Sequence, residues 1–248
     1  MRFVQLNIWD GCLLRYAVKF LKEADADIIN LQEVSAGMSP TESEYFSVHD
    51  GLKKALKYKY DFYSPAITGE FGKYTVSRGQ LILSKYPITY RKVVYMQGKL
   101  KIHSTFGTRD MNRRLLQYAK INVKGKTINV LNYHGYFIWG SKMGNRTTES
   151  HSKKVLKCMD SIDKNEQIIL SGDFNLAPES NSFRILSKRY PDLVSKYGIK
   201  TTRNELSAVK EPVDNILVNN RVKVKSLKVP MVYIADHLPL VMDFYPPT

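Results

Sequence analysis

Leu170-Ser171-Gly172-Asp173-Phe174-Asn175 is the stretch from which the rest of this 248-residue chain can be read. The apolar run before it, residues 167–170, predicts a short buried strand, and Gly172 predicts a sharp backbone turn at its end. Asp173 and Asn175 would then leave the strand two residues apart and on the same side. A carboxylate beside a carboxamide suits a water held against a phosphate oxygen. The carboxylate can orient or deprotonate the water, and the amide can donate to the developing charge. Read alone, the stretch is equally an Asx-turn closing a strand.

It has company elsewhere in the chain. Phe3-Val-Gln-Leu-Asn-Ile8 alternates like a strand and carries Asn7 near its end. Ile28-Ile-Asn-Leu-Gln-Glu-Val34 is an apolar run that terminates in Glu33, and Ile128-Asn-Val-Leu-Asn-Tyr-His134 carries Asn132 and His134. Pro212-Val-Asp-Asn-Ile-Leu-Val218 places Asp214 at the head of a strand, and Ala235-Asp-His-Leu-Pro239 puts Asp236 and His237 ahead of the last one. Each polar residue could be a turn or cap residue taken singly. Their recurrence at strand ends is what points to a site.

Taken in order, Asn7, Leu31-Gln-Glu33-Val, Asn132-Tyr-His134, Gly172-Asp-Phe-Asn175, Asp214 and Asp236-His237-Leu-Pro resemble the motifs of the endonuclease/exonuclease/phosphatase (DNase I-like) superfamily. The resemblance spans the whole chain. It implies an α+β fold, a four-layer αββα sandwich with two packed mixed β-sheets flanked by helices and the site at one end of the sheets. It also implies a metal-dependent phosphoric ester hydrolase. One departure is Ala235, where the family's last motif usually begins with Ser. A second is that Asn132-Tyr-His134 is unlike the motif of exonuclease III-like abasic endonucleases, which makes an abasic-site role less fitting.

Composition is compatible. No linker, repeat or low-complexity segment divides the chain, so residues 1–248 are expected to form one domain. No charged-then-apolar leader and no apolar stretch of membrane-spanning length is present, and Cys12 and Cys158 are too few for a disulfide framework. The expectation is a cytoplasmic monomer. With 38 Lys and Arg against 23 acids, the formal net charge is +15, which favours a polyanionic partner, nucleic acid foremost.

The coarse pattern predicts strands at residues 2–8, 28–32, 60–64, 80–84 and 88–96, and helices at 13–23 and 48–57. A hairpin over 115–123 and 127–132 turns at Lys124-Gly-Lys126. A helix at 148–162 precedes the Asp173 strand. A short helix at 182–188 and strands at 215–218, 222–229 and 238–244 complete the chain.

By physical need, a hard divalent cation held by carboxylates would neutralise a phosphate under attack. Glu33 is the strongest candidate ligand, because a carboxylate closing an apolar strand otherwise has no reason to be there. Asn7 and Asp236 would complete or support that shell. The resemblance implies Mg2+, with Mn2+ as a substitute. Asp173 would position and activate water and Asn175 would donate to the phosphate. His237 would bind the phosphate, and the family pairs this His with an Asp matching Asp214; His134 would donate from the opposite side. His49, His103 and His151 match nothing and are assigned to surface or structural roles.

Substrate choice is expected in three loops. Residues 69–79 offer Arg78 to a phosphate, residues 105–114 hold Arg109, Arg113 and Arg114, and residues 135–146 mix aromatic with basic side chains. Trp139 and Arg146 are the substrate-binding candidates there, as a stacking and a charged contact. The leading function is a nuclease or DNA-end-processing phosphodiesterase. An inositol-phosphate or phospholipid phosphatase or phosphodiesterase, and a non-catalytic nucleic-acid binder, are the alternatives.

Overall fold

The computed structural model describes residues 1–39, 41–100, 102–106 and 112–247. Twelve strands and five α-helices follow one another among these residues. They are β1 (Arg2–Asn7), α1 (Leu14–Ala24), β2 (Ile28–Ala36), α2 (Val48–Leu56), β3 (Tyr60–Phe71), β4 (Tyr74–Ser84) and β5 (Ile88–Tyr95). Then come β6 (Ile102–His103), β7 (Leu115–Val123), β8 (Lys126–His134), α3 (Arg146–Asp160), β9 (Gln167–Asp173), α4 (Asn181–Ser187) and α5 (Leu193–Lys196). The chain closes with β10 (Asp214–Val218), β11 (Val224–Lys228) and β12 (Leu240–Phe244).

The strands form two mixed sheets, ordered β11-β12-β1-β2-β4-β3-β6 and β10-β9-β8-β7-β5. Two parallel pairs arise where a helix makes the crossover, β1–α1–β2 and β8–α3–β9, and the short β3–β6 pair is a third; the hairpins supply antiparallel pairs. Side-chain alternation then builds the layers. Val4 and Leu6 of β1 face α1 and α2, packing with Leu21, Val48 and Leu52, while Phe3 faces the second sheet beside Ile169 and Ile216. On the other side, Leu131 and Leu170 pack against Val155 and Met159 of α3 and Phe183 of α4. The result is the four-layer αββα sandwich with helices outside.

Between the sheets the facing side chains change from apolar to polar toward one end. Gln5 donates to Gln32 at 2.9 Å, Gln32 to Asn132 at 2.7 Å, Asn132 to Gln117 at 3.0 Å, and Gln117 to Ser64 at 3.0 Å. All five residues are essentially inaccessible to water. Buried amides bonded to one another fix the register of one sheet on the other more narrowly than aliphatic packing does. That fixed end is where the strand-end motifs converge.

Several expectations need correction. The 60–64 and 80–84 strands are the inner parts of a long β3–β4 hairpin, whose turn is Gly72-Lys73, so residues 69–71 and 74–79 are sheet and not loop. Sequence understated them because the outer part, with Thr, Ser and Lys, lacks an apolar run. Glu33 does not end its strand. It sits in left-handed conformation (φ 58) at a bulge, where the β2–β4 register shifts between Gln32 and Val34, and β2 continues to Ala36. Gly172 makes no turn either. It lies within β9 opposite Tyr133, where a Cβ would meet the Tyr133 carbonyl oxygen at 1.7 Å, so its role is close strand approach. The β7–β8 hairpin does turn as expected, through Lys124 (φ 52) and Gly125 (φ 86). β6 and α5 were not anticipated, and β12 begins at Leu240.

Candidate active site

The second sheet delivers three groups on one rung. Asp214 of β10 pairs in register with Asp173 of β9, which pairs with His134 of β8. The first sheet approaches from across with Asn7 at the end of β1, Glu33 on the β2 bulge, and Asp236-His237 ahead of β12. Ion-pair and hydrogen-bond distances show that these residues form one cluster.

At its centre is Oδ2 of Asp173. Asn7 donates to it from Nδ2 at 3.2 Å. Around the same oxygen stand Nε2 of His237 at 3.5 Å, Nε2 of His134 at 3.7 Å and Nη2 of Arg203 at 3.7 Å. Oδ1 accepts from the Asn175 backbone N–H at 2.9 Å, with Asn175 itself left-handed (φ 53). Burial pushes the Asp173 carboxyl up, His237 and Arg203 pull it back, and Asp214 adds to the rise. A carboxyl poised this way can take a proton from water.

His237 is gripped by Asp214, whose Oδ2 and Oδ1 lie 2.8 and 3.0 Å from Nδ1. Thr202 Oγ1 donates to Asp214 Oδ2 at 2.8 Å and Gln5 Nε2 to Oδ1 at 3.1 Å. Burial works against the charge on His237, but Asp214 outweighs it and the imidazole is raised above its ordinary value. Nδ1 is therefore the committed donor and Nε2 faces the cluster. His134 differs. Burial, reinforced by Arg114 and Arg78, pushes it well down, so it is a neutral donor.

Glu33 lies 3.8 Å from His134 Nε2 through Oε1 and forms an ion pair with Arg78 through Oε2. Burial opposes its charge, yet Arg78, His134 and His237 together hold it well below the usual carboxylate range. Arg78 also lies 2.5 Å from Asp10 Oδ1 through Nε. Burial raises Asp10 to about 7 against the pull of Arg78, and its backbone, like that of Trp9, is left-handed. Arg78 is thus a half-buried counter-ion on a strand, which corrects its placement on a loop reaching for phosphate.

The donor set suits a hard divalent cation. Glu33, Asp10 and Asp236 offer carboxylate oxygens and Asn7 an amide oxygen; Oδ1 of Asp236 is buried with no hydrogen-bond partner among the described residues. Asp173, Asp214 and His237 also bring ligand atoms within 4.8 Å of one another. There, however, the His237 Nδ1 is already spent on Asp214, so the Glu33 side is the better fit.

The Asn175 side chain is tied to the neighbouring loop, while its backbone N–H is bonded to Asp173. Its amide donates to Gly135 O at 3.3 Å and accepts from Lys142 Nζ at 3.2 Å. Lys142, buried and pushed down by that burial, was passed over by sequence reasoning as one more basic loop residue. Arg203 and Thr202 were also missed. They lie in a polar loop with no strand-end signal, and a short backbone pairing brings them in: Arg203 bridges His237, and Leu238 N donates to Thr202 O at 2.8 Å. No sequence periodicity reports such a long-range bridge.

The substrate-loop candidates are less central. Trp139 is 88% exposed, its ring 6.1 Å from that of Phe137, and Asn112 holds the Phe137 backbone with bonds of 2.7 and 2.9 Å. Arg146 is exposed in the first turn of α3, just after the Asn145 cap. Among the described residues neither makes a hydrogen bond or ion pair with the cluster; Arg114 is buried, its Nε donating to Gly135 O at 2.5 Å. Arg109 lies outside the described residues.

The Endonuclease/Exonuclease/phosphatase family model matches residues 4–237. Among curated proteins, no sequence matches. Among solved structures, the chain is similar to an endonuclease/exonuclease/phosphatase from Bacteroides vulgatus at 17% identity, covering 98% of each chain with a TM-score of 0.76. It is similar to the mannosyl-6-phosphatase Bt3783 of Bacteroides thetaiotaomicron at 15% identity, with 99% of each chain covered and a TM-score of 0.71. A humanized D. rerio TDP2 matches at 16% identity, 99% of each chain and a TM-score of 0.71. At these identities the structural likeness speaks for the fold.

Proposed function

This chain belongs to the Endonuclease/Exonuclease/phosphatase family, and on that premise we propose that it is a divalent-cation-dependent phosphodiesterase acting on nucleic acid, as a nuclease or end-processing enzyme. The observation that carries the hydrolytic reading is the convergence of Asn7, His134, His237 and Arg203 on one oxygen of Asp173. Donors arranged around a buried carboxylate suit a phosphate whose oxygens take the donors while the carboxylate handles water.

In this reading Asp173 orients the attacking water and accepts its proton. The water oxygen bonds to phosphorus as the ester P–O bond breaks, and the electron pair leaves with the ester oxygen. His237, charged and aligned by Asp214, and neutral His134 donate to the phosphate oxygens from two sides. Asn175 completes the cradle and fastens the loop through Gly135 and Lys142. Glu33, Asp236 and Asn7 would hold Mg2+ or Mn2+, with Asp10 beside them. A cation bound there supplies positive charge against the charge that builds on phosphate and leaving group.

Nucleic acid is favoured as substrate by the net charge of +15 and by the exposed, braced Phe137–Trp139 pair on the loop that follows His134. Arg146, at the far end of that loop, would add a phosphate contact. A small phosphomonoester is the second reading, favoured by the two buried cations Lys142 and Arg203 beside Asp173 and Asn175. We take residues 1–248 as one catalytic unit working as a monomer.

A panel decides between them. Single- and double-stranded DNA, RNA, end-blocked duplexes, inositol phosphates, sphingomyelin and sugar phosphates would be incubated with Mg2+, with Asp173→Ala as control. Control-sensitive cleavage of nucleic acid supports the first reading. Turnover confined to small esters replaces it with the second.

A further inference from the structure

We propose that Arg203 is a catalytic residue in this site, a third nitrogen donor to the phosphate oxygens beside His134 and His237. The inference rests on the phosphoesterase reading above and adds a contact to it.

Arg203 is 7% exposed and lies in the loop between α5 and β10. The segment around it is laced onto the Asp236-His237 motif. Arg203 and His237 form a backbone bridge, Leu238 N donates to Thr202 O at 2.8 Å, and Asn204 Nδ2 donates to Ala235 O at 2.6 Å. Thr202, next in sequence, holds Asp214. One tripeptide therefore sets Asp214 and carries the guanidinium into the cluster.

A plain structural role would make Arg203 the counter-ion of Asp236, and Nη1 does lie 2.7 Å from Asp236 Oδ2. That pair does not use the rest of the group. Nη2 stands 3.7 Å from Asp173 Oδ2, too long for a hydrogen bond, and matches the 3.5 and 3.7 Å of the two imidazole nitrogens around the same atom. Nε is buried with no hydrogen-bond partner among the described residues. A buried donor left unpaired is costly, and a ligand oxygen is the natural acceptor. During hydrolysis the water oxygen bonds to phosphorus, its proton passes to Asp173, and the ester oxygen leaves with the bonding pair. Charge meanwhile gathers on the non-bridging oxygens, and a planar fork of fixed charge is suited to them.

The test uses the full chain with Mg2+ and bis(p-nitrophenyl) phosphate, comparing Arg203→Ala, Arg203→Lys and wild type. Calorimetric titration with inorganic phosphate and a thermal melt of each accompany it. Expected for Arg203→Ala is a kcat loss of about a hundredfold to a thousandfold. Millimolar guanidinium should return at least about a tenth of the lost rate, and phosphate affinity should fall by about tenfold or more, as expected for a lost charged hydrogen bond. Arg203→Lys, with a point charge in place of the fork, should stay impaired and keep its fold. A loss that guanidinium does not relieve, with phosphate affinity unchanged, would overturn the proposal and leave Arg203 as the Asp236 counter-ion. If wild type hydrolyses no ester, the function reading fails by itself. Unequal phosphate affinity of wild type and Arg203→Ala would then still support the contact, and equal affinity would sink it.

Discussion

Arg78 of β4 reaches Glu33 on the bulge of β2 and forms a half-buried ion pair with it, its Nε lying 2.5 Å from Asp10 Oδ1. The guanidinium thus neutralises two carboxylates on the side of the site that suits a cation. Removing one partner of a half-buried pair leaves the others uncompensated, at up to about 3 kcal/mol, or up to roughly 6–12 °C of Tm for a chain this size. Arg78→Met should show that loss without divalent cation. Mg2+ should raise its Tm by more than it raises that of wild type, because Glu33 and Asp10 would have lost their internal counter-charge. Equal Mg2+ increments in the two proteins would argue against cation binding at Glu33.

The His237–Asp214 pair sets a pH dependence of stability. His237 is raised, so its contribution is complete below its unfolded value of 6.5 and fades as pH rises through the folded value. Asp214 is lowered: burial opposes its charge, but His237 outweighs that, and its contribution is complete above 3.8 and fades as pH falls through the folded value. Asp214→Asn should flatten both arms in chemical melts across pH. It should also cut kcat by about a hundredfold to ten-thousandfold through loss of imidazole alignment. A wild-type pH profile in the variant would contradict the pairing.

His151, on α3, gives an opposite and separable signal. Burial, with Lys154 and Arg114 adding to it, pushes it down to about 4, and it packs edge-on to Tyr136. It is neutral when folded and takes a proton when unfolded, so stability should fall as pH drops from 6.5 to about 4 and then level off. His151→Asn should remove about one proton's worth of that acid slope while leaving turnover at neutral pH intact. Urea midpoints from neutral to acid pH would read it; an unchanged slope would place the proton elsewhere.

Trp139, 88% exposed, buries too little to matter for folding. Trp139→Ser should change stability by less than about 0.5 kcal/mol. If the loop stacks a base, KM for an oligonucleotide should rise about tenfold, in line with one lost stacking contact, while turnover of a small chromogenic ester stays put. Equal effects on both substrates would remove Trp139 from substrate contact.

The strand-end residues were legible in the sequence because alternation and apolar runs mark where strands stop, and Asp173, His134, Asp214 and Asn7 all stand at such limits. The bulge at Glu33 was not, since a bulge exists in the register between two strands and β2 shows no break in its own pattern. Arg78 looked like a loop cation for the same reason: its partners are on β2 and after β1, and no local rule joins them. Thr202 and Arg203 depend on a bridge to His237, 34 residues on. Gly172 was noticed for the wrong property, its turn-forming freedom, when the approach of Tyr133 is what excludes a side chain there.

The most direct single measurement is the Mg2+-dependent single-turnover rate of Asp173→Asn against wild type on the preferred ester. Asparagine keeps the shape and the donors around it but cannot take the proton of water. The expected result is a rate at least about a thousandfold lower at unchanged Tm, with wild-type turnover abolished by chelation and restored by Mg2+. An Asp173→Asn rate within a few-fold of wild type, or turnover indifferent to chelation, would contradict the assignment of water activation to Asp173 and of a cation to the Glu33 side.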